Sequence, residues 1–468
     1  MMKYIEEQSR KTPVMAEADV LVIGGGPAGL SAALAAAREG ANTILVERYG
    51  FFGGMITQVM MGTIAWYRYA KTIDAGGIER EFELRAKEMG ATIDIMGKIK
   101  NPEMVEMLEQ EGLMVNGKPT FEVIDTEVFK YVADVLIQEA GITPILHCLA
   151  VDVVMEGNIV KGIITESKSG RQAILAKRII DATGDADIAF FAGTPFRKSP
   201  KNELMEVTTN FGCSGINIGK FLMYIYLNRG SIGDWGETSG KEEDAFSTYL
   251  VEPFNKAILP NKFPKDIRIE SFWSTYTDAG EITSLNTVHM TDIDCTDVRD
   301  LTKAEIEGRK WVMWAIDALK KHTPGFKKAR LRNIGSSLGT RESRKIIGEY
   351  NITEYDVRNE ARFEDSIGIC PEFIDGYDIA ILPTTGRYFQ VPYGIILPQK
   401  VENLLVAGRC VGGDKISHAA TRQMVCCIVT GQGAGVAAAL SLKDNVTCRQ
   451  VDISKIQKAL KKQGVRIE

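Results

Sequence analysis

The sequence predicts an α/β fold in which a parallel sheet carries the functional site and an α+β portion is inserted between its halves. Three stretches predict it. "ADVLVIGGGPAGLSAALAAAREGANTILVER" reads as strand, glycine turn, helix and strand. "AVDVVMEGNIVKGIITESKSGRQAILAKRIIDATGD" reads as three strands closed by a glycine. "VENLLVAGRCVGGDKISHAATRQM", far down the chain, reads as a buried strand, another glycine turn and a helix start. Residues 1–194 and 386–468 are therefore expected to form one discontinuous domain, with 195–385 inserted into it.

A chain of 468 residues exceeds the usual size of one hydrophobic core, which agrees with two units. Apolar residues make up 45% and charged residues 25%, as in soluble globular proteins. The net charge of −5 gives no reason to expect nucleic acid or an anionic membrane as partner. No run reaches the roughly 18 consecutive apolar residues of a membrane span. The first residues, "MMKYIEEQSRKTPVMAEAD", include acids and lack the apolar stretch of a secretory signal. Eight cysteines are scattered without a C-x-x-C pair, which points to reduced thiols in a cytoplasm; vicinal Cys426 and Cys427 read as small buried side chains. Four histidines without H-x-x-x-H spacing give no metal site.

In the first stretch, Val20 to Ile23 make a short buried strand, Ala28 to Glu39 a helix, and Thr43 to Val46 a second strand. Gly24 allows the tight turn, Gly26 lets the backbone approach a pyrophosphate, and Gly29 lets the helix lie against the strand. Pro27 and Ala28 open the helix, whose N-terminus would face the phosphate charge. Glu47, with Arg48 beside it, lies 18 residues after Gly29. That is near the ~20-residue spacing of an acid that binds a ribose 2′-hydroxyl. These residues together predict a dinucleotide site.

The choice of dinucleotide follows from what comes next. Gly53, Gly54 and Met55 place a second glycine pair just after the ribose acid. A nicotinamide enzyme has no need of it, whereas an extended FAD runs onward past such a turn. The three strands of the second stretch, about 150–156, 159–166 and 172–180, form a β-meander. The last ends in Asp181, Ala182, Thr183, Gly184 and Asp185, expected near the cofactor. Gly408 and Arg409 of the late turn would meet the same FAD further along, and Asp414 would accept ribityl hydroxyls or simply start a helix. A helix start at Ala419, Ala420 and Thr421 would aim its dipole at the flavin N1–C2=O edge. Gly431, Gly433 and Gly435 would pack that helix on the sheet.

With these motifs in order, the chain resembles the FAD-dependent oxidoreductase family filed with fumarate reductase/succinate dehydrogenase-like flavoproteins and thiazole-synthesis-like sequences. The similarity runs nearly end to end, through "VLVIGGGPAGLSAALAAAREGA", "ERYGFFGGM", "IIDATGDADIAFFAG", "LGTRESRKIIGEYNIT", "VPYGIILP", "NLLVAGRC" and "TGQGAGVAAA". The resemblance implies tightly held FAD in a Rossmann-like domain of the glutathione-reductase type, with a β-meander and an inserted α+β substrate or cap domain. Two positions depart from the family. Gly394 stands where an arginine is usual, and Gly412-Gly413-Asp414 stands where a serine is common.

Residues 195–385 hold the tryptophans Trp235, Trp273, Trp311 and Trp314, and "LTKAEIEGRKWVMWAIDALKKH" reads as an amphipathic helix. In "SLGTRESRKIIGEY", Arg341 and Arg344 would share a helix face, either clamping a carboxylate or pairing with internal acids. His418 and Arg422 follow the late turn, where they would serve as acid/base and substrate anchor. Tyr393, Arg387 and His289 are further candidates, and Cys410 a remote one for covalent attachment of flavin. The expected activity is hydride transfer between a small carboxylated molecule and flavin N5, by C–H or C–OH oxidation or C=C reduction. The alternatives are a flavin-binding subunit or non-redox flavoenzyme such as a hydratase, and an NAD enzyme. The sequence leaves the electron acceptor or donor and a homo-oligomeric state open.

Overall fold

A computed structural model of the chain describes residues 5–64, 74–93, 102–110, 114–116, 118–119, 123–227, 252–258, 264–269, 275–277, 279–377, 379–381 and 386–468. Trp235 and Trp273 lie outside them. Strand β1 (Val14–Ile23) forms around Val20, Leu21, Val22 and Ile23, all buried, an apolar run suited to a strand covered on both faces. Helix α1 (Pro27–Arg38) is alanine-rich and starts on a proline, whose missing N–H is no loss in a first turn. Strands β2 (Thr43–Val46) and β3 (Thr143–Ile145) follow and pair in parallel. Strands β4 (Leu149–Glu156), β5 (Ile159–Ser167) and β6 (Gly170–Asp181) are the antiparallel meander expected from sequence.

Beyond the meander the pattern changes. Strands β7 (Val207–Ser214), β8 (Ile267–Ile269) and β9 (Glu281–Met290), helix α2 (Val298–His322) and strand β10 (Arg330–Ile334) form a second layer pair. Among the described residues its sheet is antiparallel in the order β8-β9-β7-β10, with Thr275–Thr277 also on β9. Asp297 caps α2 by accepting the Arg299 amide at 2.8 Å, and Lys320, Lys321 and His322 sit in its last turn, where the dipole favours cations. The apolar face of α2, with Trp311, Val312 and Leu319, packs on Phe211, Leu285 and Val288 in a cluster of its own.

The chain then returns to the first sheet as β11 (Leu404–Val406), followed by α3 (Lys415–Thr421) and α4 (Met424–Lys443). The first sheet runs β3-β2-β1-β6-β5-β4. One edge of β6 lies parallel to β1; its other edge pairs first with β5 and, over Ile179–Asp181, with β11. By length and composition α4 could cross a membrane, with a mean hydropathy of 1.7 over an 18-residue window, but 83% of that window is buried within the protein. It is a core helix, and its small residues explain where it lies. A Cβ on Gly431 would stand 2.1 Å from the Ala28 carbonyl oxygen, and one on Gly435 2.2 Å from that of Ala32. These glycines therefore meet α1 rather than the sheet, as the sequence reading had them, while Gly433 faces Ile367.

Two further expectations are corrected. The helix expected to begin at Ala419–Thr421 is two helices, and those residues close α3. Asp414 and Ser417 form a capping box that starts α3 at Lys415, and the chain turns extended at Gln423 before α4. Arg341 to Arg344 are not helical. Their side chains go to separate partners, Arg341 towards Glu206 and Arg344 to Asp187, so they form no common clamp.

Candidate functional site

Register explains why distant glycine turns meet. Ile23 is level with Val46 and with Asp181, and Asp181 with Val406. The turns after β1, β6 and β11 thus leave the carboxyl edge of adjacent parallel strands, where α/β sheets bind ligands. Gly24 has φ +98, and a Cβ there would lie 2.4 Å from the Ala182 carbonyl oxygen. Gly29 packs against the Gly24 carbonyl, and Gly54 against the Gly26 Cα. The Gly53 amide donates to Gly25 O at 2.8 Å, which locks the second glycine pair onto the first loop. The Gly408 amide donates to Thr430 Oγ1 at 3.0 Å, and Gly408 packs on Ala28.

The residues present fit FAD. Gly26 has φ −74, and a Cβ added there would find no protein atom closer than 3.7 Å. Nothing in the protein demands glycine at that point, so the bare backbone leaves room for a ligand. Helix α1 begins without a side-chain cap or first-turn acid, so its leading N–H groups are available to an anion. Helix α4 also starts without a side-chain cap. Glu47 is buried and accepts the Gly25 amide at 2.7 Å and the Tyr49 amide at 3.0 Å, shaping the loop while each oxygen keeps a further lone pair. Arg48 lies over the Tyr49 ring at 4.9 Å, and Met55 is half-buried beside the pair Gly53-Gly54.

The turn after β6 is held by charge. Asp181 is fully buried and accepts the Thr183 hydroxyl at 2.7 Å and the Ala189 amide at 2.9 Å. Asp185 meets Arg409 at 2.9 Å and the Ser343 hydroxyl at 2.6 Å, and a Cβ on Gly184 would strike the same guanidinium. Burial works against the Asp185 charge, but Arg409 outweighs it and holds the carboxyl below its ordinary range. Asp185 and Arg409 therefore join the second and third turns to each other. Arg344 donates to Asp187 at 2.9 Å and lies 4.1 Å from the Phe190 ring centroid. Burial, then Asp185 and Asp181, push Asp187 up to about 6. Asp414 accepts the Ser417 amide and, from the preceding segment, the Glu354 amide, each at 2.8 Å, so it caps α3 and ties it to 354.

Next to these turns lies a half-buried charged cluster. Arg422 donates to Asp375 at 2.7 Å, and its Nε is buried without a partner among the described residues. Glu206 meets Arg268 at 2.8 Å, His289 Nδ1 at 3.0 Å and Arg341 at 3.7 Å. Burial alone would raise the Glu206 carboxyl, but His289, Arg341 and Arg268 bring it to about 2. Asp375 is half-buried; burial works against its charge, but Arg422 and Arg341 outweigh it and hold the carboxyl below its ordinary range. His418 Nε2 meets the Arg341 carbonyl at 3.0 Å, and burial drops its pKa far below the usual value, so the ring is neutral. Behind it Glu342 takes hydrogen bonds from Lys345, Tyr377, the Ser199 hydroxyl at 2.6 Å and the Met205 amide at 3.0 Å. Burial opposes its charge, yet Lys345 and these donors bring Glu342 to about 2. Burial likewise works against the Lys345 charge, and Glu342 works for it.

The structure thus gathers His418, Arg422 and Arg341, with His289, and leaves Arg344 at the Asp185–Asp187 turn. Tyr393 is not brought in. Its hydroxyl donates to the Cys448 carbonyl at 2.7 Å, and burial raises its pKa far above 10. Arg387 pairs with Glu372 and, at 3.2 Å, Glu360. Cys410 is fully buried, with burial raising its thiol, so it is no linker. Ala420 and Thr421 are buried in the last turn of α3. Sequence reasoning missed Glu206 and Asp375 and had Glu342 only as a pairing acid for Arg341 or Arg344, because acids are common and only the fold shows which ones are withdrawn from water. Gly394 also finds its reason: a Cβ there would be 2.7 Å from Tyr350 Cβ, so the arginine usual in the family has no room.

The description "FAD dependent oxidoreductase" belongs to the family whose sequence model matches residues 19–460. The chain belongs to that family; it is an FAD-dependent oxidoreductase, and FAD is its cofactor. No curated protein matches it. Among solved structures it is similar to a geranylgeranyl bacteriochlorophyll reductase-like protein from Thermoplasma acidophilum, with 16% identity over 97% of this chain and 85% of that one, TM-score 0.48. It is also similar to p-nitrophenol 4-monooxygenase PnpA from Pseudomonas putida DLL-E4, with 11% identity over 95% and 84%, TM-score 0.46. A third similarity, to THI4 of Thermovibrio ammonificans, has 23% identity over 41% of this chain and 66% of that one, TM-score 0.25.

Proposed function

We propose that this oxidoreductase transfers a hydride between a small organic acid and the flavin, with the substrate carboxylate on Arg341. When bound, FAD supplies a hydride-accepting N5. One observation carries this reading: the Arg341 guanidinium makes no hydrogen bond among the described residues, and its contact with Glu206 is 3.7 Å long. A guanidinium fork left with its donors unused suits a planar two-oxygen anion. Arg422 adds nearby a buried Nε without a partner among the described residues, while its Nη2 stays on Asp375. Glu206 and Asp375 keep the local charge near balance, so a single carboxylate is the size of anion the cluster can take.

In this reading residues 195–385 form the substrate-holding part and 1–194 with 386–468 the FAD-holding part. Kinship with fumarate reductase/succinate dehydrogenase-like flavoproteins and a topology of the glutathione-reductase type belong to the same proposal, on the ordered motifs. A cytoplasmic location is also proposed, on eight free, buried thiols. The test is anaerobic mixing of the yellow holoenzyme with a panel of hydroxy and unsaturated acids, following flavin absorbance. At least one acid should bleach or re-oxidise the flavin, and R341A should raise its KM at least tenfold with FAD content unchanged. A silent panel, or an unchanged KM in R341A, overturns the proposal.

A further inference from the structure

We propose that His289, held by Glu206, is the proton acceptor of this site, so that the substrate is a hydroxy acid oxidised at its C–OH. This rests on the reading of Arg341 as the carboxylate anchor. His289 lies on β9, in register with Thr208 of β7, and Glu206 stands just before β7. Their contact, Nδ1 to Oε2, is 3.0 Å. A carboxylate can only accept, and Glu206 is ionised, so Nδ1 carries the hydrogen. With Nδ1 so committed, Nε2 is the ring position left to take up a proton.

That Nε2 is buried and has no partner among the described residues, on a residue only 4% exposed. A buried polar atom without a partner is costly to the fold, and this one is kept open. His418, the histidine favoured by sequence, is committed differently. Its Nε2 is occupied by the Arg341 carbonyl. It serves as a positioning residue, fixing the backbone that carries the anchoring guanidinium. Charged groups facing the dyad are Arg268 from β8, Arg341 from the 341–344 segment, and Asp375 from the hairpin packed on α3.

The chemistry balances with the family's cofactor as oxidant. The substrate O–H bond breaks and its proton goes to His289 Nε2. The freed pair becomes the π bond of C=O as the carbon's hydrogen leaves with two electrons, as hydride, to the flavin. The products are an oxo acid, a two-electron-reduced cofactor and a protonated His289. A base so oriented contributes about 10²- to 10⁴-fold.

The test uses histidine-¹⁵N NMR of the full-length protein with and without FAD, and flavin bleaching by glycolate, L-lactate and L-malate. H289N assigns the signal, because its amide can still donate to Glu206 where the imidazole did; H289Q is the second variant. The wild-type signal should show Nδ1 protonated and Nε2 bare. H289N should bind FAD normally and be reduced by dithionite, yet bleach at least 100-fold more slowly in kcat with KM within about twofold. An Nε2–H tautomer, or a variant as fast as wild type, overturns the inference. If no hydroxy acid bleaches wild-type flavin, the substrate class falls. The tautomer then decides the dyad alone: a bare Nε2 keeps His289 as proton acceptor, and a protonated one removes it.

Discussion

Gly26→Ala should stabilise the apoprotein and weaken FAD binding, two effects of opposite sign from one methyl group. Gly26 has φ −74 and ψ −174, a conformation alanine adopts without strain. The nearest protein atom to the new Cβ would be 3.7 Å away, an ordinary contact. Restricting the unfolded chain should then raise apoprotein stability by about 0.4–1 kcal/mol. The same methyl stands where the pyrophosphate must approach the amides of α1. Losing one charge-assisted hydrogen bond there costs about 1.5–3 kcal/mol, a roughly 10- to 150-fold weaker Kd. Thermal unfolding of the apoprotein and fluorescence titration with FAD read the two effects separately. Gly431→Ala is the contrast, because its Cβ would stand 2.1 Å from the Ala28 carbonyl oxygen and should lower stability by about 1–3 kcal/mol. Unchanged FAD affinity in G26A, or a destabilised apoprotein, would refute the assignment of that space to the cofactor.

Glu342→Ala leaves Lys345 buried without its partner and should destabilise the protein by about 3–5 kcal/mol in denaturant unfolding. Glu206 and Glu342 are both lowered from 4.5 to about 2. Their stabilisation is therefore complete above pH 4.5 and lost as pH falls towards 2, and E206Q should flatten that acid limb. Asp187 is raised from 3.8 to about 6. Its protonated form is favoured in the folded state, so stability drops as pH rises through 3.8 to 6, and D187N should be more stable than wild type at pH 8 but not below pH 3.8. All eight cysteines are free and buried, so a thiol reagent should find almost none in the native protein and all eight in denaturant.

Local patterns carried the cofactor half of the molecule. The buried run Val20–Ile23, the alanine helix and the meander each declare themselves within a dozen residues, because period and turn chemistry are local properties. The sequence reading went astray where long-range contact decides. Residues 341–344 look helical in isolation yet are not, with Glu342 anchored to Ser199 and Tyr377 from other parts of the chain. Gly431 and Gly435 promised close packing but could not say against what.

By itself the sequence determined the class: an α/β protein whose glycine turns hold FAD. A bare backbone before a helix start, followed by an acid at the right distance, has few other uses. The tertiary structure alone decided the chemistry of the neighbouring cluster. Whether a histidine is free or committed depends on which carboxylate or carbonyl the fold lays beside it. Glu206 and His289 are 83 positions apart. Only the pairing of two antiparallel strands makes them one acid–base unit, and only burial gives their partnership its strength.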